Sequence, residues 1–183
     1  MSNVIFIGDL HLRSTSPIAR CDDYPNVILG KLESIANAAK SYKCKNIILL
    51  GDVFDTPITT LPYLATVLET FKKIKSLGIT VYLRLAPNEL MIENTLFRCF
   101  NYPDELSEKL TDNYEVCVAH QYYNFELSSK TLHEDDLIRL KYDAMVLGHY
   151  HAPCDTENIG NTILYRPGSL SRNTSEPYNK LRT

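Results

Sequence analysis

Five short apolar runs, each followed closely by glycine, aspartate, asparagine or histidine, constrain the fold of this 183-residue chain more than any other feature. Val4-Ile5-Phe6-Ile7 runs into Gly8-Asp9-Leu10-His11, and Asn46 to Leu50 runs into Gly51-Asp52-Val53-Phe54-Asp55. Thr80 to Leu85 leads to Pro87-Asn88-Glu89, Tyr114 to Ala119 to His120, and Ala144 to Leu147 to Gly148-His149-Tyr150-His151. Runs this brief and apolar read as buried strands. Between the first two, Val27, Leu32, Ile35 and Ala39 recur at helical spacing across Tyr24 to Ser41. After the second, Thr60 caps a helix with Pro62 just inside its start, closing at Leu77 and Gly78. Thr131-Leu132-His133-Glu134 has the pattern of a capping box before a short helix through Leu140, and Asn161 to Tyr165 reads as one more strand. Strand and helix in alternation, then further strands, predict a layered α/β domain.

One domain over 1–170 with a polar tail over 171–183 suits the length, and neither an internal repeat nor a linker interrupts it. At 44% hydrophobic and 22% charged residues, the composition excludes a disordered or collagen-like chain. A net charge of -3 argues against a protein that grips nucleic acid unaided through a large basic surface. Five scattered cysteines with no C-x-x-C pair point to a reducing cytoplasm rather than a disulfide framework. No apolar stretch approaches the roughly 20 residues that span a bilayer, so no membrane association is expected.

In open α/β sheets the strand carboxyl ends converge on one edge, where ligands bind. Four of the five histidines fall at such ends. Asp9, His11, Asp52, Asn88, His120, His149 and His151 together form a mixed oxygen and nitrogen donor set without cysteine. Such a set suits a borderline divalent metal such as Mn²⁺, Zn²⁺ or Fe²⁺. These donors are too many for one such ion. Two ions roughly 3.5–4 Å apart, bridged by a carboxylate, account for them. Asp52 is the natural bridge, because a carboxylate offers two oxygens and an imidazole one free lone pair.

D-x-H, then G-D-x-x-D, an asparagine turn, H, and G-H-x-H, in this order from Ile5 to about Ser169, resemble the motif set of the calcineurin-like metallophosphoesterases. Gly51 to Thr56, Leu147 to His151 and Pro167-Gly168-Ser169-Leu170 are most similar to SbcD-type DNA repair nucleases. The Arg-Gly that continues the second motif of protein serine/threonine phosphatases is absent. The resemblance implies a two-sheet β-sandwich flanked by helices. It implies a first metal on Asp9, His11, Asp52 and His151, and a second on Asp52, Asn88, His120 and His149. Mn²⁺ is the expected ion, with Zn²⁺, Fe²⁺ or Mg²⁺ as alternatives. The implied activity is hydrolysis of a phosphodiester in nucleic acid or a nucleotide-like molecule, with an SbcC-like ATPase as a protein partner. Two other readings stand beside it: a phosphodiesterase or phosphatase on small phosphoesters, and a metal-binding subunit with weakened catalysis.

The third motif departs from the family's Gly-Asn-His-Asp or Gly-Asn-His-Glu, reading Ala86-Pro87-Asn88-Glu89-Leu90. In one register Asn88 is the metal-binding asparagine and Glu89 stands where a catalytic histidine belongs; this register is preferred because it keeps a ligand. In the other, Pro87 takes the asparagine position and Asn88 the histidine position. Either way the histidine that would protonate the leaving group is missing, and general acid catalysis contributes roughly 10²–10⁴-fold. Asn88, Glu89 and His120 are the candidate catalytic residues, and Arg13, Tyr122 and Arg166 the candidates for holding substrate. Asp55 is a candidate for orienting a metal ligand from behind, and His133 reads as a surface residue.

Overall fold

The computed structural model describes residues 3–18, 20–57, 59–83, 88–101, 105–125 and 131–171. Among them the chain runs β1 (Val4–Ile7), α1 (Tyr24–Ser41), β2 (Asn46–Leu49), α2 (Leu61–Ser76), β3 (Thr80–Leu83), β4 (Asn88–Ile92) and β5 (Thr95–Phe100). It continues with β6 (Glu115–His120), β7 (Tyr122–Tyr123), β8 (Thr131–Leu132), α3 (Glu134–Leu140), β9 (Ala144–Gly148), β10 (Glu157–Ile159) and β11 (Thr162–Tyr165). The chain is therefore α/β, as the alternation predicts. Strands β1, β2 and β3 form a parallel sheet in that order. A six-stranded mixed sheet has the order β10-β11-β9-β6-β5-β4, parallel from β11 to β5 and antiparallel at both edges.

Strand side chains alternate between two faces, and the β2 run shows why each is apolar. Ile47 and Leu49 pack with Ile28, Leu32 and Ala36 of α1 and with Val67 and Ile74 of α2. Ile48, with Leu50 just beyond the strand, joins Phe97, Cys99, Val116, Val118 and Val146 of the larger sheet in a cluster that Phe6 and Tyr82 also enter. On the far face of the larger sheet, Cys117, Ala119, Met145 and Leu147 meet Leu137 and Leu140 of α3. Strands β6 and β9 are thus covered on both faces, which explains their continuous apolar runs.

Several boundaries differ from expectation. Strand β6 begins one residue later than predicted and includes His120. Helix α3 starts at Glu134 with His133 as its cap, the His133 N–H donating to Asp136 Oδ2 at 2.9 Å, while Thr131 pairs within β8. The capping pattern read at Thr131 thus sits two residues too early. The strand predicted over Asn161 to Tyr165 is β11, whereas β4, β5 and β10, with the short β7 and β8, are additional to the predicted elements. Ser171, the first residue of the expected tail, is buried against Ser169; 172–183 lie outside the described residues. No helix among the described residues is long and apolar enough to cross a membrane, and all five cysteines are free.

Candidate metal centre

The segments after β1 and β2 are stitched together by their backbones. The N–H groups of Leu10 and His11 both donate to the Asp52 carbonyl, at 3.1 and 2.8 Å, and Leu12 bridges to Phe54. This close course depends on glycine. A Cβ on Gly8 would lie 1.8 Å from the Gly168 carbonyl oxygen, and one on Gly51 would lie 2.4 Å from His120 Nδ1. His11, Asp52 and His149 all have positive φ, at 47°, 38° and 81°. Such backbone costs of order 1–3 kcal/mol per residue and persists where the surroundings over-determine it.

Six of the seven predicted metal ligands come together as two groups. Asp9, His11 and His151 form one and Asp52, His120 and His149 the other, the donor atoms of each lying within 4.8 Å of one another. In the first, His11 Nε2 lies 3.1 Å from His151 Nε2, which lies 3.4 Å from Asp9 Oδ2. Two nitrogens bound at about 2.0–2.1 Å to one ion, at tetrahedral or octahedral angles, lie roughly 2.9–3.4 Å apart. Asp52 faces both groups: its Oδ2 is 3.9 Å from His11 Nε2, and its Oδ1 is 3.5 Å from His120 Nε2.

The charges in this site call for a cation. Asp9 is 1% exposed, and its Oδ2 has no hydrogen-bond partner; its Oδ1 accepts from the His149 N–H at 3.2 Å. Burying a polar atom without a partner is costly. A hydrogen bond from His120 holds the Asp52 carboxyl down at about 2, against the opposing effect of burial. Burial pushes the His11 imidazole below its ordinary value despite Asp52 and Asp9, and burial followed by the charge of His120 does the same to His149. Near neutral pH the ionised Asp52 and buried Asp9 therefore face His11 and His149 in their neutral, ligating form. The residues present fit a divalent ion in each group.

Behind the donors, Asp55 Oδ1 lies 3.6 Å from His11 Nδ1, and its Oδ2 pairs with Arg13 at 3.1 Å. Arg13, predicted to hold substrate, is thus engaged by a side chain that backs a candidate ligand. The Ser169 hydroxyl donates to the Asp9 carbonyl at 2.8 Å, and its N–H to the His151 carbonyl at 3.0 Å. Tyr122 lies beside His149, ring centroids 4.0 Å apart. Arg166 pairs with Glu157 and stands 5.2 Å over the Tyr123 ring, outside both groups. Asn88 opens β4 opposite Cys99, and Glu89 pairs with Arg98 at 3.4 Å and enters neither group. Ala86 and Pro87, on which the alternative register turns, lie outside the described residues. His133 is exposed. The supporting role of Ser169 was carried in the sequence only by the resemblance of its motif. Phe125 and Tyr150, near Tyr122, gave no signal by spacing.

No family model and no curated protein matches the sequence significantly.

Proposed function

We propose that this chain is a two-metal phosphoester hydrolase. The observation that carries the reading is Asp52, whose two carboxylate oxygens face separate histidine groups as a bridging ligand requires. Divalent ions bound there would supply Lewis-acid stabilisation of a phosphoryl group and activation of water. The chain's own part is to hold the donors: Asp9, His11, Asp52 and His151 around one position, and Asp52, His120 and His149, joined by Asn88 in the preferred register, around the other. The mixed donor set favours Mn²⁺, with Zn²⁺, Fe²⁺ or Mg²⁺ as alternatives.

Within that class, the reading supported best is the nuclease core of an SbcD-type enzyme acting on phosphodiesters of DNA or nucleotides. The cluster shared by the two sheets, with helices outside it, supports the two-sheet sandwich that this relationship implies. With a net charge of -3, grip on a long duplex would come from a partner such as an SbcC-like ATPase. The absence of a histidine in the third motif, with Glu89 paired to Arg98, leaves the alkoxide leaving group of a DNA diester without the family's proton donor, so an activated chromogenic diester should be cleaved faster than DNA.

The test strips the protein of metal, reloads it with Mn²⁺, Zn²⁺ or Mg²⁺, and offers a chromogenic phosphodiester, single-stranded DNA and duplex DNA. Metal-dependent cleavage that Asp52→Asn abolishes is expected. Stoichiometric metal binding with no turnover of any substrate would contradict hydrolysis and leave a metal-binding subunit.

A further inference from the structure

A series of aromatic rings leads away from the second donor group. The His149 ring lies 4.6 Å from that of His120 and 4.0 Å from that of Tyr122. Tyr122 stacks on Phe125 at 4.5 Å with 18° between the planes, and Phe125 meets Tyr150 at 6.4 Å and 54°. All three are half-buried. The buried apolar clusters among the described residues draw on Tyr123 but on none of these three. Large rings with partial exposure and no share in the core stand beside a site whose donors fit a phosphate-binding metal pair. They are also fixed to it by the chain: Tyr122 is two residues beyond His120, and Tyr150 lies between His149 and His151.

We propose that Tyr122, Phe125 and Tyr150 form a platform for the base of a nucleobase-bearing phosphoester whose phosphate occupies the metal centre. The proposal rests on the two-metal reading for the position of the phosphate. Stacking is tolerant of base identity because every base has a π-face. Stacking on ring faces reads no base edge, so the platform selects for a flat ring rather than for one base. It distinguishes nucleotides and single strands from phosphoesters that lack a base.

The Zn²⁺-loaded full chain is titrated calorimetrically with 2′-deoxyadenosine 5′-phosphorothioate and with base-free deoxyribose 5-phosphorothioate, both slow to hydrolyse. The nucleotide should bind about 5- to 150-fold tighter. In Phe125→Leu and in Tyr150→Leu that ratio should fall toward one. Equal binding of the two analogues overturns the platform alone, whereas failure of both to bind overturns it together with the metal-centre reading. A ratio kept in both variants also overturns the platform. Should the variants fail to fold, the native protein still decides: the ring protons of Phe125 and Tyr150 must shift in NMR spectra with the nucleotide and not with the base-free analogue. Unshifted rings overturn the proposal.

Discussion

Replacing Gly51 with alanine probes how tightly the chain closes around the donor groups. Gly51 has φ +141°, and an added Cβ would lie 2.4 Å from His120 Nδ1, with two further ring atoms at 2.9 and 3.0 Å. Holding a residue with a side chain in such backbone costs of order 1–3 kcal/mol. Displacing a packed ring costs about 1–3 kcal/mol more, and His120 is buried, at only 5% exposed. The sum, about 2–6 kcal/mol, is a large part of the roughly 5–15 kcal/mol that holds a domain folded. At roughly 2–4 °C per kcal/mol, the Tm of the metal-free protein should fall by about 4–24 °C. The displaced ring would also carry Nε2 away from Asp52 Oδ1, so the second metal site should weaken before the first. Scanning calorimetry and metal titration read these effects, with Gly30→Ala as control. Gly30 lies inside α1 with nothing within 4 Å of its added Cβ, so that change should raise stability by about 0.5–1 kcal/mol. A Gly51→Ala protein with native Tm and native occupancy of both sites would refute the reasoning.

Asp55→Ala removes the carboxylate behind His11 and should weaken the first metal site by about 10–100-fold while sparing the second, as measured by calorimetric titration. Ser169→Ala removes the hydroxyl that donates to the Asp9 carbonyl and accepts from the buried Ser171 N–H, and should cost about 1–3 kcal/mol in urea unfolding, again with the first site weakened more. The metal-free protein should lose stability on acidification in two windows. The pKa values of His11 and His149 are lowered by folding, so the unfolded chain binds more protons. Their contribution is full above the ordinary histidine value near 6.5 and is lost as pH falls through the folded values. The Asp52 contribution is full above 3.8 and is lost as pH falls toward about 2. Urea unfolding followed from pH 8 downward checks both windows; stability that rises on acidification through the histidine range would contradict the burial of His11 and His149.

Much of the scaffold is legible in the sequence because its signals are local. Helix α1 has the predicted bounds, but only Leu32 and Ala39 of the predicted stripe are fully buried. Val27 is exposed and Ile35 half-buried, and Ile28 and Ala36 complete the buried face. The runs at β1, β2 and β9 are short and apolar because they are covered. The β4–β5 hairpin was hidden by its turn. Glu93-Asn94 lacks the glycine that marks a two-residue hairpin, yet Glu93 adopts φ 52° and lets Leu90 and Ile92 face the same cluster as Phe97 and Cys99. The six clustered donors were legible because each follows or ends a parallel strand. Asp55 was legible as a candidate support, but which donor it backs was not, because the contacts of Asp55 with His11 and of Ser169 with Asp9 depend on how separate loops meet. Arg13 and Arg166 show the same limit: a sequence reveals an arginine near a motif, but only packing reveals that Asp55 and Glu157 already engage them.

The central claim is that Asp52 links two metal ions. The most direct measurement is electron paramagnetic resonance of the metal-stripped protein titrated with Mn²⁺. Ions bridged at about 3.5–4 Å are exchange-coupled. The account predicts a coupled-pair spectrum that reaches its maximum at two equivalents and disappears in Asp52→Asn. Saturation at one equivalent, or only the hyperfine pattern of isolated ions at two, would contradict it.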